Sequence, residues 1–368
     1  MKIAAVDVFA YDLTYVGGRY VMSGGRVIDR LSSTVVRVRT EDGIEGFGEV
    51  CPLGPAYLQG HAGGARAALA EFAPAVLGLS VSDLTQVHAA LDRALAGHGY
   101  AKSAVDIACW DALGRSVGLP LCDLLGGRLN ERFPLYVAIS LGAVDEMAAQ
   151  VEALRAEGIH RFQLKLGDDP VADAERTRAV VEATGPEDVV VADANGGYRL
   201  RDAVVAARAL EQLPRVFLEQ PCPTLEECLQ VRRRTTMPMI LDESIQGVTD
   251  LLRGYGAQAM EGFNLKLSKV GGLSEARLMR DLAARLGISV TIEDTWGGDL
   301  VTAAVAHLAA STPPELLFTV SFMNDWTNEH VAGHEPRSNG GFGAAPSGPG
   351  LGVEVDLEKL GPSLLSFS

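Results

Sequence analysis

Between residues 162 and 267, five short apolar runs each carry an ionisable side chain at or near their end. Lys165 lies in run 162–166, Asp193 in run 189–194 with Asn195 just after it, and Glu219 in run 216–220. Asp242 and Glu243 close run 239–243, and Lys266 lies in run 262–267. Three carboxylates from three consecutive runs, Asp193, Glu219 and Asp242, suit a hard divalent cation, because Mg2+ takes oxygen ligands in octahedral geometry and keeps positions for water or substrate. Each acid alone could equally cap a following helix or pair with a lysine. The two lysines flank the acidic runs, so in a closed ring they would face each other as an acid–base pair straddling a substrate. A lysine serves as a base near neutral pH only where burial or neighbouring positive charge lowers its pKa. A cation would do this, and Lys269, three residues after Lys266, could add to it; a surface salt bridge is the plain alternative for either lysine.

The elements that would position these residues follow a regular rhythm. Apolar runs at 134–139, 162–166, 189–194, 216–220, 239–243, 262–267, 289–294 and 317–322 alternate with amphipathic segments such as 143–157, 171–183, 201–212 and 274–286. Successive starts lie roughly 22 to 28 residues apart, the length that a strand, a helix and two short loops consume. The pattern predicts an α/β chain with a TIM-type (β/α) barrel over 129–325, and catalytic groups in such a barrel gather where strands end. A doubly wound open sheet has the same grammar, since periodicity does not show closure.

Residues 1–128 read as an α+β unit. The first strand alternates from Met1 to Asp12, and 33–39 with 44–49 form a hairpin around Asp42-Gly43. Helices are expected near 65–77, 83–96 and 101–117, the last stopped by Gly118-Leu119-Pro120. Two irregular stretches, 15–28 and 51–64, are long enough to have a function. Residues 326–368, rich in Gly, Pro and Ser, read as a tail that packs back on the first unit.

Composition narrows the partners. Thirty-two basic against 47 acidic residues leave a net charge of −15, a poor footprint for nucleic acid or an anionic membrane. No uninterrupted apolar stretch of about 18 residues suggests a membrane span, and the N-terminus lacks a signal-type apolar core, so the expectation is a cytoplasmic protein. Five cysteines without paired spacing argue against a disulfide scaffold or a thiolate metal site.

Taken together the motifs resemble those of the enolase superfamily, in its muconate lactonizing enzyme subgroup, over essentially the whole chain. Lys102-Ser103-Ala104-Val105-Asp106-Ile107-Ala108-Cys109-Trp110-Asp111-Ala112 with Leu124-Leu125-Gly126-Gly127 is similar to that family's signature before the barrel. Asp193-Ala194-Asn195, Leu218-Glu219-Gln220-Pro221, Asp242-Glu243-Ser244 and Asn264-Leu265-Lys266 are similar to its metal and base motifs, in order. The resemblance implies a (β/α)7β barrel under an N-terminal capping domain whose loops 15–28 and 51–64 close over the mouth. It also implies Mg2+ (or Mn2+) on Asp193, Glu219 and Asp242, holding a substrate carboxylate, with Lys165 and Lys266 as the bases, in a homo-oligomer. One departure stands out: the subgroup's second strand usually reads Lys-x-Lys, whereas here it is Gln163-Leu164-Lys165, so the ammonium beside Lys165 is missing.

Cys51-Pro52-Leu53-Gly54-Pro55-Ala56-Tyr57 with His61, and Glu293-Asp294-Thr295-Trp296-Gly297-Gly298-Asp299, are similar to segments of enzymes acting on proline-type amino acids, the cis-3-hydroxy-L-proline dehydratases and hydroxyproline betaine 2-epimerases. Trp296 could set an aromatic face against a ring ammonium and Asp294 could take its charge, with Thr295 beside them. The expectation is α-proton abstraction followed by dehydration of cis-3-hydroxy-L-proline, with proline racemisation at the same centres. Epimerisation of a proline betaine, dipeptide epimerisation and muconate cycloisomerisation stay open, because the motif chemistry is shared and the pocket decides. Outside the family stand a Schiff-base aldolase barrel and a non-catalytic small-molecule-binding barrel.

Overall fold

The computed structural model describes all 368 residues. Its first fifty residues fold as a meander: β1 (Ile3–Thr14), β2 (Arg30–Thr40) and β3 (Glu45–Val50) pair antiparallel in that order. Side chains alternate across a strand, so Val6, Val8, Val36 and Val38 all point to one face and are buried there. That face is covered by α1 (Ala62–Phe72), α2 (Leu84–Ala94) and α3 (Gly99–Val117). Gly46 and Gly48 on β3 let α3 lie directly on the strand: a Cβ on Gly48 would stand 2.1 Å from the carbonyl oxygen of Ala104, and one on Gly46 2.2 Å from that of Ala108. Helix α1 starts three residues before the expected 65–77 segment and stops at Phe72, where Pro74 opens a 3-10 turn over Ala73–Val76.

Eight parallel strands follow: β4 (Val137–Ile139), β5 (Arg161–Lys165), β6 (Val189–Asp193), β7 (Val216–Glu219), β8 (Met239–Leu241), β9 (Gly262–Lys266), β10 (Ser289–Glu293) and β11 (Leu317–Val320). They neighbour each other in chain order. A parallel bridge from Leu135 to Val320, with Tyr136 N–H donating to the Val320 carbonyl at 3.0 Å, joins the first strand to the last. The sheet is therefore closed, which removes the open doubly wound alternative.

The connecting helices are α4 (Val144–Ala156), α5 (Pro170–Glu182), α6 (Leu200–Leu210), α7 (Leu225–Arg232), α8 (Val248–Gly256), α9 (Leu273–Leu286) and α10 (Asp299–Ala310). After β11 comes only a 3-10 turn, Met323–Trp326, and no α-helix before the tail, so the barrel is (β/α)7β. The chain after the barrel ends in a strand, Leu365–Phe367, that pairs antiparallel with β1. On the way it also touches the barrel, where Gly341 accepts from Leu135 N–H, and the capping unit, where Gly350 accepts from Leu121 N–H. All five cysteines are buried free thiols, and no helix is long and apolar enough to cross a membrane.

Candidate active site

Strand register puts the charged residues on shared rungs. Lys165 pairs with Asp193 and Asp193 with Glu219, so three neighbouring strands present them at one level. Asp242 is the first residue beyond β8, and Lys266 shares a rung with Glu293. Lys165 stands on the second strand and Lys266 on the sixth. Four strands apart in a ring of eight places them on opposite walls, and both line one cavity with Tyr20, Tyr57, Trp296 and Trp326.

Each buried charge has a partner. Lys165 Nζ donates to Asp193 Oδ2 at 2.5 Å. Lys266 Nζ donates to Asp242 Oδ2 and to the Tyr57 hydroxyl oxygen, both at 2.5 Å, and stands 3.2 Å from Glu293 Oε1. Lys269 is wholly engaged with Asp242 Oδ1 (2.8 Å), the Asp242 carbonyl (2.7 Å) and the Asn264 carbonyl (3.0 Å). Its ammonium thus braces Asp242. Gln163 Nε2 donates to both oxygens of Glu219, at 3.1 and 3.0 Å, where a lysine would have formed an ion pair. Asn264 Nδ2 ties Glu219 (2.8 Å) to Glu293 (3.0 Å).

The site carries surplus negative charge: Asp193, Glu219, Asp242, Glu243, Glu293 and Asp294 face only Lys165, Lys266 and Lys269. Burial, with Asp193 and Asp242 alongside, pushes the Glu219 carboxyl well above its usual range. Burial and the charges of Asp242 and Asp193 push Glu243 up to about 7. Burial opposes the charge on Lys165, but Asp193, Tyr20 and Glu219 outweigh it and raise the pKa. Asp242 is held below the carboxylate range despite burial, by Lys266 and Lys269.

An all-oxygen, buried donor set with excess negative charge fits a hard divalent cation. Two oxygens at its edge, Glu243 Oε2 and Asn195 Oδ1, have no hydrogen-bond partner, while Asn195 donates to Asp193 and to Glu243. The side chains of Asp193, Glu219 and Asp242 each turn toward a neighbouring donor, as described. The one acid and histidine group whose ligand atoms all fall within 4.8 Å of one another is elsewhere: His160, Glu187 and Asp188, at the N-terminal end of the barrel. There Asp188 is already satisfied by Arg155, His160 and the Gly185 N–H.

The remaining sequence candidates divide. Trp296 is buried in an aromatic group, its ring centroid 6.1 Å from Tyr15, 5.6 Å from Tyr20 and 5.7 Å from Trp326, and its Nε1 has no partner. Thr295 lines the cavity and donates to the Cys51 carbonyl at 3.1 Å. Asp294 also lines it, but its oxygens accept from Ser268 and from Thr295 N–H, and burial raises its pKa to about 6. His61 is a correction. It is exposed, its Nδ1 caps α1 by accepting from Gly64 N–H at 3.1 Å, and it does not line the cavity. Residues 62–64, expected in the loop, are the first turn of that helix, because a side-chain acceptor at the N-cap satisfies one of its orphan N–H groups.

Sequence reading missed Tyr20, Tyr136, Trp326 and Glu293 as cavity residues. Tyr20 sits on a small hairpin, Tyr20–Val21 with Val27–Ile28, inside the stretch expected to be irregular, and its hydroxyl faces Lys165. Tyr136 donates to Glu293.

A closed (β/α)7β barrel with opposed lysines and strand-end acids, under an α+β cap, defines a class, and the chain belongs to the mandelate racemase/muconate lactonizing enzyme family of the enolase superfamily. Residues 20–126 match the mandelate racemase/muconate lactonizing enzyme N-terminal domain and residues 146–360 the enolase C-terminal domain-like family. Among individual relatives, the chain is 44% identical over 368 residues, all of both chains, to the cis-3-hydroxy-L-proline dehydratase of Roseibium aggregatum. It is 27% identical to the N-succinyl-L-Arg/Lys racemase of Bacillus cereus, over 98% of this chain and 97% of that one. A superfamily member from Roseovarius nubinhibens ISM, solved with magnesium, superposes with a TM-score of 0.94 at 36% identity, covering 100% of this chain and 99% of that one.

Proposed function

We propose that this enzyme dehydrates cis-3-hydroxy-L-proline to a pyrroline-2-carboxylate, with a divalent cation, Mg2+ or Mn2+, held by Asp193, Glu219 and Asp242. The observation that carries the reading is the placing of Lys165 and Lys266 on opposite walls of one aromatic-lined cavity. In this substrate the hydroxyl and the carboxylate share a ring face, so the α-hydrogen and the hydroxyl lie on opposite faces. Two opposed amines match that anti relationship. Asp193 favours the ammonium form of Lys165; with that carboxylate committed to a cation, Lys165 would act as the free amine and take the α-proton, the C–H electron pair becomes the C2–C3 double bond, and the C3–O pair leaves with the oxygen, which takes a proton from the Lys266 ammonium to depart as water. The enamine then tautomerises to the imine. When bound, the cation would neutralise the carboxylate and stabilise the negative charge that develops there. The 44% identity to a cis-3-hydroxy-L-proline dehydratase supports the same substrate.

A second reading, 2-epimerisation of a proline betaine, draws on the aromatic group. Trp296, Trp326 and Tyr20 line the cavity as an aromatic wall suited to a cation, while the nearby Asp294 already accepts from Ser268 and Thr295, which suits a quaternary ammonium with no N–H to donate. Incubating the Mg2+-loaded enzyme with cis-3-hydroxy-L-proline should yield the imine, detectable by reaction with o-aminobenzaldehyde. A chelator should lower the rate at least about 100-fold, and Mg2+ should restore it. Absence of imine, with inversion at C2 of a proline betaine, would reverse the ranking.

A further inference from the structure

An ammonium has three N–H groups, and Lys266 spends two of them in hydrogen bonds. One goes to a carboxylate of the barrel, Asp242 Oδ2 at 2.5 Å, and a second carboxylate, Glu293, stands 3.2 Å away through Oε1 as an ion-pair contact. The other goes to the neutral hydroxyl of Tyr57 at 2.5 Å, which itself donates to Asp242 Oδ2 at 2.9 Å. The ammonium also lies over the Tyr57 ring, 5.0 Å from its centroid. Tyr57 comes from the capping unit, in a turn where its N–H donates to the Gly54 carbonyl, and it is half-buried while Lys266 is buried. An ammonium leaving a carboxylate loses a charge–charge attraction that a neutral hydroxyl does not supply. Of its two bonded N–H groups, the one that Lys266 gives more easily to a substrate is therefore the one resting on Tyr57.

We infer that Tyr57 is a positioning residue for proton delivery: it holds one N–H of Lys266 toward the cavity, where the departing hydroxyl, or C2 in racemisation, takes the proton. This rests on the two-lysine reading above and extends it. Without the phenol oxygen, the ammonium is left to Asp242 and Glu293 and is drawn toward the barrel wall. Proton removal by Lys165, on the opposite wall and faced by Tyr20 from the other loop, does not depend on that contact.

Partitioning in D2O separates the two half-reactions. With cis-3-hydroxy-L-proline, the ratio of α-deuteration in recovered substrate to water loss is measured. With L-proline, the ratio of α-deuterated L-proline to D-proline is measured. Tyr57→Phe, which keeps the ring, should raise both ratios at least about 10-fold. Tyr20→Phe should lower exchange and product formation together and leave the ratios within about 2-fold. Ratios unmoved in Tyr57→Phe, whether the rates hold or fall in step, would overturn the inference, as would an equal rise in Tyr20→Phe. If the wild type racemises proline but does not dehydrate the hydroxyproline, the dehydratase reading fails while the proline ratio still judges Tyr57. Wild-type enzyme that exchanges no α-proton in either compound would remove both.

Discussion

At the scale of single residues, Gln163 shows how one neutral side chain alters the tuning of a base. It is two residues before Lys165 on β5, so both side chains lie on the same face of the strand, and its amide spends its donors on Glu219. A lysine there would bring a second ammonium within reach of Lys165, and a like charge nearby disfavours the charged form. Lys165 must be neutral to take a proton, so Gln163→Lys should move the acidic limb of kcat/KM for cis-3-hydroxy-L-proline to lower pH, by about one unit. A limb that stays in place or moves upward would show that Gln163 does not influence the base. The lysines and the three acids were legible in the sequence because each closes an apolar run, a pattern that strand periodicity makes visible. Tyr20 and Trp326 were not legible. Each lies in a glycine-rich or irregular stretch without strand or helix periodicity, and only the folding of loop and tail onto the barrel mouth brings them beside Lys165 and Lys266.

At the scale of elements, the join between β3 and α3 depends on Gly46 and Gly48. A methyl group at 48 would meet Ala104 O at 2.1 Å and Ala108 N at 2.7 Å, both backbone atoms of a helix that cannot yield by a rotamer change. Gly48→Ala should therefore destabilise the protein by about 1–3 kcal/mol, seen as a lower urea midpoint with an unchanged slope. The displacement should also reach the barrel, since Trp110 of α3 donates to Ser274 Oγ at 3.0 Å, and Asp106 accepts from Ser274 N–H at 3.1 Å. Ser274 lies in the first turn of α9, eight residues after Lys266. A midpoint equal to wild type would mean that the helix can shift freely on the strand. The eight strands were legible to within a few residues, because parallel strands covered on both faces read as continuous apolar runs. Element ends were less so: α1 ends early at Pro74, and the first barrel run yields only Val137–Ile139 as strand, with Phe133–Pro134 pairing with Phe342–Gly343.

At the scale of the whole molecule, closure was what periodicity could not show, and the tail's reach to both units depends on partners far away in sequence. Helix α10 is where these parts meet. Every residue from Asp299 to Ala310 is buried, and His307 inside it accepts from Cys122 N–H at 3.2 Å through Nδ1 and donates to the Leu351 carbonyl at 3.0 Å through Nε2. One imidazole thus links the end of the capping unit, a barrel helix and the tail, in its neutral form. Burial lowers its pKa to about 4, against about 6.5 in an unfolded chain. The unfolded state binds the proton first as pH falls, so this contribution is fully present above about pH 6.5 and is lost progressively toward pH 4, in total about 3 kcal/mol. His307→Gln keeps a donor and an acceptor but does not titrate there. Urea unfolding at pH 7 and at pH 4.5 should show the variant less stable at pH 7 and the gap to wild type narrowing at pH 4.5, whereas a gap of constant size would place the acid sensitivity in other groups.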